Sequence, residues 1–351
     1  MNKKTKEGLS MSLENFEKFC DKNGNFMQSV NWAKVKNSWN AEYIEVCDKN
    51  GNIEGTMLVL VKKIPFLKTA MLYAPRGPVC DMHNKGVLER IFEKLCEIAK
   101  KYNAYLLKID PLIDERDIYA INNLRSLGFE YHPERVGYDN VQCRENYILD
   151  ISGKSTDEVF AGFKSKWRYN IRLAQRKGVV CDFYEDDKLD DFEALMKQTS
   201  ARDGFDMRSK EYFRNLLKSF DGKAKLCMCY ADGVALSGAL CIEYAGTMSY
   251  VYGCSSNEMR NYMPNYLMQW TMIKRAVEDG CHTYDFCGIP YWYDMEHKNF
   301  GVYKFKQGFN GQVKVWAGEF DYVFRAGLKR CADIMMQIKG LSAKISAGNS
   351  A

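Results

Sequence analysis

Residues Gly301–Gly311, GVYKFKQGFNG, set two lysines, Lys304 and Lys306, among three aromatics, Tyr303, Phe305 and Phe309, inside a glycine frame. An ammonium held beside buried rings near a glycine-rich turn can stabilise oxygen charge that develops in a transition state. Read as a helix, Val302, Phe305 and Phe309 fall at i, i+3 and i+7 on one apolar face, and Gly308 is placed to end the helix in a left-handed conformation. Read as a strand, Tyr303 and Phe305 share one face and the lysines the other. The helix is the expected form. A solvated lysine pair on an ordinary amphipathic turn carries the same pattern.

Three other places could do chemistry. Asp110 follows a buried strand, Tyr105–Ile109, where an aspartate can act as a base or simply end the strand. Arg208 and Tyr212, four apart at the start of a helix, share a face that can hold a phosphate and stack a base or sugar, or form a surface hydrogen-bonded pair. Between Gly162 and Gly178 lie Lys164, Lys166, Arg168, Arg172, Arg176 and Lys177 with no acid among them. Lys164, Arg168, Arg172 and Arg176 recur at i+4 as one ridge, whose mutual repulsion a partner anion such as nucleic-acid phosphate would relieve; a solvated basic face is the alternative.

The elements that position these residues follow from periodicity. Ser12 is expected to cap a helix to about Asp21. Ser29 caps another that turns Trp32, Val35 and Trp39 inward and leaves Lys36 one turn beyond Trp32, where a lysine snorkels. Strands Glu42–Asp48 and Ile53–Lys63 flank Asn50-Gly51, and Lys225–Tyr230 and Val234–Glu243 flank Asp232-Gly233, both read as two-residue hairpin turns. Thr69–Tyr73 runs into APRGP, which throws Arg76 into a loop. A helix from Asn84 to Tyr102 precedes the Asp110 strand. In the second half, a helix over Thr156–Lys177, a helix from Pro264 to Gly280 and a strand to Phe286 follow. Phe320–Leu341 reads as a terminal helix. Each half thus gives helices, a hairpin, a third strand, a long helix and a strand reaching an aspartate, Asp110 or Asp285. That order suggests duplication of one α+β unit. The boundary is expected near residue 150.

The 351 residues suffice for two cores of ordinary size, and the 27% charged and 46% hydrophobic content is that of a soluble globular chain. A net charge of +5 permits an anionic partner without demanding one. The 13 cysteines are scattered without CxxC pairs, and the four histidines, at 83, 132, 282 and 297, add no ligand spacing, so no metal site is expected. Free cysteines and an N-terminus without an apolar core segment point to a cytoplasmic protein. No glycine signature of dinucleotide or P-loop enzymes occurs.

Several separated motifs, NFMQSVNWAKVK, YAPRGPV, LLKIDP, FKSKWRYNIRLAQRKGV, TSARDGFDMRSKEYF, YVYGCSS and GVYKFKQGFNG followed by VWAGEFDYV, resemble the FemABX family of non-ribosomal peptidyltransferases over about residues 12–322. The resemblance implies an α+β fold of two packed acetyltransferase-like domains, 1–150 and 151–318, the first completed by a helix over 319–345. It implies transfer of alanine, serine or glycine from aminoacyl-tRNA to the stem-peptide amine of UDP-MurNAc-pentapeptide or lipid II, with no cofactor and no stable protein partner. Lys36, Arg208, Tyr212 and Tyr252 then correspond to residues that grip the acceptor's nucleotide diphosphate, and Tyr105 and Asp110 to residues near its peptide. Phe305 and Lys306 correspond to the catalytic pair, and the basic helix becomes the expected tRNA surface. No heptad stretch is present, so the long coiled-coil arm of some members is missing. Two other readings remain at this point: a CoA-dependent N-acyltransferase on the same fold, which the loop SSNEMRNYMPNYLMQW does not favour, and a non-catalytic RNA-binding protein.

Overall fold

The computed structural model describes residues 3–64, 67–137 and 140–334, with side chains from residue 13 onward. The chain divides into two compact units, one of Met1–Lys36 with Glu134–Trp316, the other of Asn37–Pro133 with Ala317–Ala351.

The second of these units is built on a seven-stranded sheet. Its order is Asn40–Cys47, Ile53–Ile64, Thr69–Ala74, Ala104–Ile109, Phe320–Val323 and Glu130–Tyr131, with Val79–Cys80 paired off Ile53–Ile64. Every ladder is antiparallel except Thr69–Ala74 against Ala104–Ile109, and a parallel pair needs a crossover. Helix Lys85–Lys101 supplies it, capped by Asn84, whose side chain accepts from Val87 N at 3.2 Å. Its face of Val87, Leu88, Ile91 and Leu95 covers the sheet.

The other unit repeats this order. Its seven-stranded sheet runs Gln312–Val315, Glu145–Asp150, Thr283–Gly288, Thr247–Ser255, Val234–Tyr244, Ala224–Ala231 and Val180–Tyr184. The single parallel pair here is Thr247–Ser255 with Thr283–Gly288, and helix Pro264–Glu278 is the crossover. One face carries a core of Leu267, Met272 and Ile273 on Tyr284, Phe286 and Phe309. The opposite face packs helices Leu189–Asp203 and Lys210–Phe220 on Leu226, Met228 and Leu240. The fold is α+β, and both units show the order read from the sequence, a hairpin, a third strand, a crossover helix and a strand parallel to the third; Val79–Cys80 and Val180–Tyr184 have no counterpart in the other sheet.

The division of the chain differs from the expected cut at residue 150. Glu145–Asp150 pairs with Thr283–Gly288 and Gln312–Val315, so it closes the later sheet, and residues 1–36 belong with that sheet too. Residues 320–323, expected to open a terminal helix, form a strand that pairs with both Ala104–Ile109 and Glu130–Tyr131. Helix begins only at 326, and the expected helix beyond 334 lies outside the described residues. The first helix begins at Lys3, not after Ser12. Asp232 and Gly233 both have positive φ, the two-residue turn expected there, whereas Cys47 pairs Ile53, leaving a five-residue connection around Gly51. Asp48 holds that loop through the amides of Asn50 and Asn52, each at 2.8 Å.

Candidate functional site

Lys306 lies in the helix Phe300–Lys306, the form expected for this stretch. The chain turns left-handed at Asn310 (φ 62°), not at Gly308. Gly308 is needed for another reason: a Cβ there would lie 2.0 Å from the indole of Trp167. The apolar face is also shorter than expected, since Val302 is 40% exposed while Phe309 is fully buried. Phe305 is half-buried, edge-on to Tyr266 and Phe309, and its carbonyl accepts from Trp167 Nε1 at 2.9 Å.

The Lys306 ammonium is itself buried and donates to Phe286 O at 2.6 Å and Gly288 O at 2.8 Å. These carbonyls flank Cys287, which has φ 57° at a β-bulge: Asp285 pairs Ile148 but Gly288 pairs Asn146, one residue too many on this strand. The parallel ladder with Thr247–Ser255 has already stopped at the Ser249–Asp285 pair. Lys306 therefore sits where the two central strands part. Burial lowers its pKa from the usual lysine value, opposed by the negative charges of Cys287, Asp285 and Cys143 in their ionised forms. A charge so held is fixed in place before any substrate arrives.

A second bulge distributes the neighbouring tyrosines. On Thr247–Ser255, Tyr250 opposes Cys241 and Tyr252 opposes Leu240, with Val251 unpaired between them. Consecutive residues 240 and 241 point to opposite faces, so Tyr250 and Tyr252 do as well, where an unbroken strand would have put them together. Tyr250 faces the core that holds Lys306, whose ammonium is 5.9 Å from its ring. Tyr252 faces the other side and donates to Tyr212 Oη at 3.2 Å.

There the expected acceptor-binding residues come together. Ser29 caps helix Val30–Val35 by accepting from Trp32 N at 3.0 Å, and Lys36 follows that helix. Ser209 caps helix Lys210–Phe220 by accepting from Tyr212 N at 3.2 Å. Asn215 ties the two helices, donating to Lys34 O and Val35 O at 3.3 Å each. Lys36 Nζ then lies 3.2 Å from Tyr212 Oη, 4.6 Å from the Trp32 ring and 5.1 Å from the Tyr212 ring. The Arg208 guanidinium is 5.5 Å from the Tyr212 ring. Arg208 precedes the cap and is not on the helix, so the shared helical face expected for Arg208 and Tyr212 is replaced by this stacking. Burial, and then the Arg208 charge, lower the Lys36 pKa to about 8. Burial beside Tyr252 pushes the Tyr212 hydroxyl up, so it stays protonated. Neither cation has a carboxylate partner among the described residues. Two unneutralised cations on aromatic faces, with phenol donors between them, can bind a polyanion such as a diphosphate.

Tyr105 and Asp110 belong to the other unit. Asp110 is 1% exposed; Oδ2 accepts from Tyr73 Oη at 2.7 Å and Oδ1 from Arg76 N at 2.6 Å. Arg76 is left-handed (φ 57°), so the carboxylate anchors the APRGP turn. Burial raises its pKa, helped by Glu319 and opposed by Arg76. Tyr105 is buried on the same strand, and its carbonyl accepts from Phe324 N and Arg325 N.

The basic stretch is two helices, Thr156–Gly162 and Ser165–Arg176, because Phe163 is extended and buried at the break. Arg168 turns back to the carbonyls of Ala161 and Phe163, and Arg172 covers the Phe160 ring at 5.1 Å. Arg176 stacks at 5.6 Å on Tyr169, which is exposed. The beginning of this helix docks on the Lys306 segment: Lys164 Nζ donates to Gln307 Oε1 at 3.2 Å and Lys164 N to Gly308 O at 2.9 Å. No side chain of this basic run has a carboxylate partner among the described residues.

Sequence reasoning missed Tyr250, Trp167, Ser209 and the two carbonyl partners of Lys306; of these, only the cap Ser209 had a legible signal, a serine three residues before Tyr212. Among the described residues no group of three or more His, Cys, Asp or Glu could hold a metal ion, and no helix is long and apolar enough to cross a membrane.

A sequence model of the FemAB family matches residues 11–234 and 230–332. The Lipid II:glycine glycyltransferase of Staphylococcus haemolyticus (strain JCSC1435) is 31% identical over 378 residues, covering 87% of this chain and 90% of that protein. The enzyme of the same name from Staphylococcus aureus (strain MRSA252) is 31% identical over 380 residues with the same coverage. The crystal structure of FemX matches with a TM-score of 0.84 and 29% identity, over 91% of this chain and 98% of FemX. A tandem GNAT protein from the clavulanic acid biosynthesis pathway, 11% identical with a TM-score of 0.54 over 91% of this chain and 95% of its own, shares the fold alone.

Proposed function

Because the chain belongs to the FemAB family and is an aminoacyltransferase of peptidoglycan synthesis, we propose that it moves one amino acid from aminoacyl-tRNA to the stem-peptide amine of a peptidoglycan precursor. Alanine, serine and glycine are the donors in view, and UDP-MurNAc-pentapeptide or lipid II the acceptor. The observation that carries this reading is the convergence of Lys36, Arg208, Tyr212 and Tyr252 on one anion-binding cluster, with Lys36 and Tyr212 176 positions apart in the chain. It suits the diphosphate common to both acceptors. The basic helix supports an RNA donor, because its first turn is bonded to residues 307 and 308, beside Lys306.

The donor ester is already activated, so the protein's task is to align two substrates and stabilise the tetrahedral oxyanion. Lys306 has three donors, of which two go to backbone carbonyls, leaving one N–H for the oxyanion or the tRNA terminus. Phe305 packs its ring on Tyr266 and accepts from Trp167 Nε1 through its carbonyl, and so fixes the helix that delivers Lys306. The attacking amine must shed a proton. Asp110, with both oxygens engaged, suits holding the Arg76 turn near the acceptor peptide better than taking that proton. We therefore assign proton transfer to the terminal ribose hydroxyl of the tRNA, with Tyr105 and Asp110 on the acceptor side.

The test is to incubate the purified protein with a labelled aminoacyl-tRNA pool and UDP-MurNAc-pentapeptide, then with lipid II, and to weigh the products. A gain of one amino acid residue establishes the reaction and names the donor. No gain with either acceptor refutes the proposed substrates.

A further inference from the structure

Two polar groups next to the Lys306 bulge, the buried Asn146 and the half-buried Asp285, have no part in the scheme above. Asp285 is the aspartate reached by the central strand of its unit, and Asn146 lies on the neighbouring strand. Asn146 Nδ2 donates to Asp285 Oδ2 at 2.9 Å, and Asp285 Oδ1 accepts from Cys287 N at 2.7 Å. A carboxylate only accepts, so the Asn146 amide nitrogen must face it and the amide oxygen must face away. That oxygen, in a residue 7% exposed, has no hydrogen-bond partner. A buried acceptor with no partner from the chain is unfavourable, and beside a carboxylate it is a place suited to an N–H donor from a bound molecule.

The location narrows what that donor is. Asn146 is the ladder partner of Gly288, and Asp285 opens the same bulge, so both border the two carbonyls that hold Lys306. In an aminoacyl ester the α-amino nitrogen is one carbon away from the ester carbonyl. A group that handles the carbonyl oxygen must therefore have the amino group's site close by.

We propose that Asn146 Oδ1 and the Asp285 carboxylate receive the α-amino group of the donor amino acid while Lys306 attends to its ester oxygen. The inference rests on the reading of aminoacyl-tRNA as donor and adds how that donor is told from other acyl esters. An α-amino group offers two or three N–H donors and, protonated, a charge that Asp285 complements. A 2-hydroxyacyl ester offers one neutral O–H. The pair is thus a selectivity site for amino over hydroxy acids, whatever the side chain.

The experiment compares kcat/KM for one tRNA charged with an amino acid and the same tRNA carrying the matching 2-hydroxy acid, in wild type, Asn146→Ala and Asp285→Asn. Wild type is expected to prefer the aminoacyl ester about tenfold or more, the factor of one charge-assisted hydrogen bond. Both variants are expected to bring that ratio towards one, with the loss falling on the aminoacyl ester. Asp285→Asn keeps the volume and decides the matter if Asn146→Ala does not fold. An unchanged ratio in a folded variant, or equal slowing of both esters, overturns the site and leaves the donor reading intact. Transfer from neither ester by wild type removes the donor reading, and the site falls with it.

Discussion

The two sheets share one strand order, yet their parallel pairs end differently. In the unit of residues 37–133, Thr69–Ala74 and Ala104–Ile109 stay paired to Ala74 and Ile109, and Asp110 then closes on Tyr73 and Arg76. In the other unit the parallel pair stops at Ser249 and Asp285, a bulge follows at Cys287, and Lys306 enters between the strands. One copy has its strand end stitched shut by a carboxylate that serves a turn. The other is held open by two irregularities, with a buried cation and an amide oxygen without a hydrogen-bond partner at the opening. A duplicated scaffold can thus keep its core in both copies and do chemistry in one, and a change in ladder register is enough to separate the roles.

The comparison breaks most sharply at Lys306. Lys306→Met is expected to lower kcat by at least about 10²–10³-fold, the loss seen when a preorganised oxyanion donor is removed, while acceptor affinity stays within a few-fold. Near-normal turnover would return the open strand end to a structural role. At the closed end, Asp110→Ala is expected to cost about 1–3 kcal/mol in denaturant unfolding, because it removes the acceptor of the Arg76 amide and of the Tyr73 hydroxyl. Asp110→Asn should recover most of that stability and retain turnover within about tenfold, less than the loss typical of a removed general base. A folded Asp110→Asn protein that has lost turnover as completely as Lys306→Met would make Asp110 the base and erase the contrast.

A smaller effect sharpens the view of the anion cluster. Lys36, with a pKa lowered to about 8, is charged below that pH and neutral above it. Bound anion raises that pKa, so acceptor Kd is expected to weaken as pH rises from 8 towards the usual lysine value. Lys36→Arg, which stays charged throughout, should flatten the profile; a slope that survives it would place the titrating group elsewhere. The smallest effect concerns the basic helix. Arg176→Ala, which removes a guanidinium stacked on the exposed Tyr169, should leave kcat unchanged and reduce the slope of log affinity for tRNA against log salt by about 0.7–0.9. An unaltered slope would mean that phosphates do not reach that end of the helix.

What could be read in advance follows the range of the forces involved. The Asn84-capped helix and the Asp232-Gly233 turn rest on neighbours in sequence, and they stand as read. The repeat of order was legible because each element carried its own periodicity. Phe163 interrupts a helix that looked continuous because its ring is buried, and burial is a tertiary matter. Phe320–Val323 carries an alternation too short to distinguish from a helix start until Ala104–Ile109 is there to pair with it. The bulges at Val251 and Cys287 leave no mark in composition, yet they decide which tyrosine faces which site. Lys36 read by spacing alone is a snorkelling lysine; its place beside Tyr212 was expected only through the resemblance to the family. The role of Gly308 was misjudged for the same reason, since the Trp167 ring that excludes a side chain there comes from another helix.

Phe320–Val323 follows the last strand of the other sheet in sequence, yet it completes the sheet of residues 37–133. On a ribosome, the sheet of residues 37–133 lacks an inner strand until residue 323 has been made, so Ala104–Ile109 waits with an open edge through the synthesis of more than two hundred further residues. The chain is laced rather than strung. A protease cut between the units cannot release two finished halves, and a gene split near residue 133 would yield one fragment lacking a strand and another carrying a surplus one. Completion of the sheet of residues 37–133 is therefore a late event, and the surface to need protection until then is the edge that Phe320–Val323 finally covers.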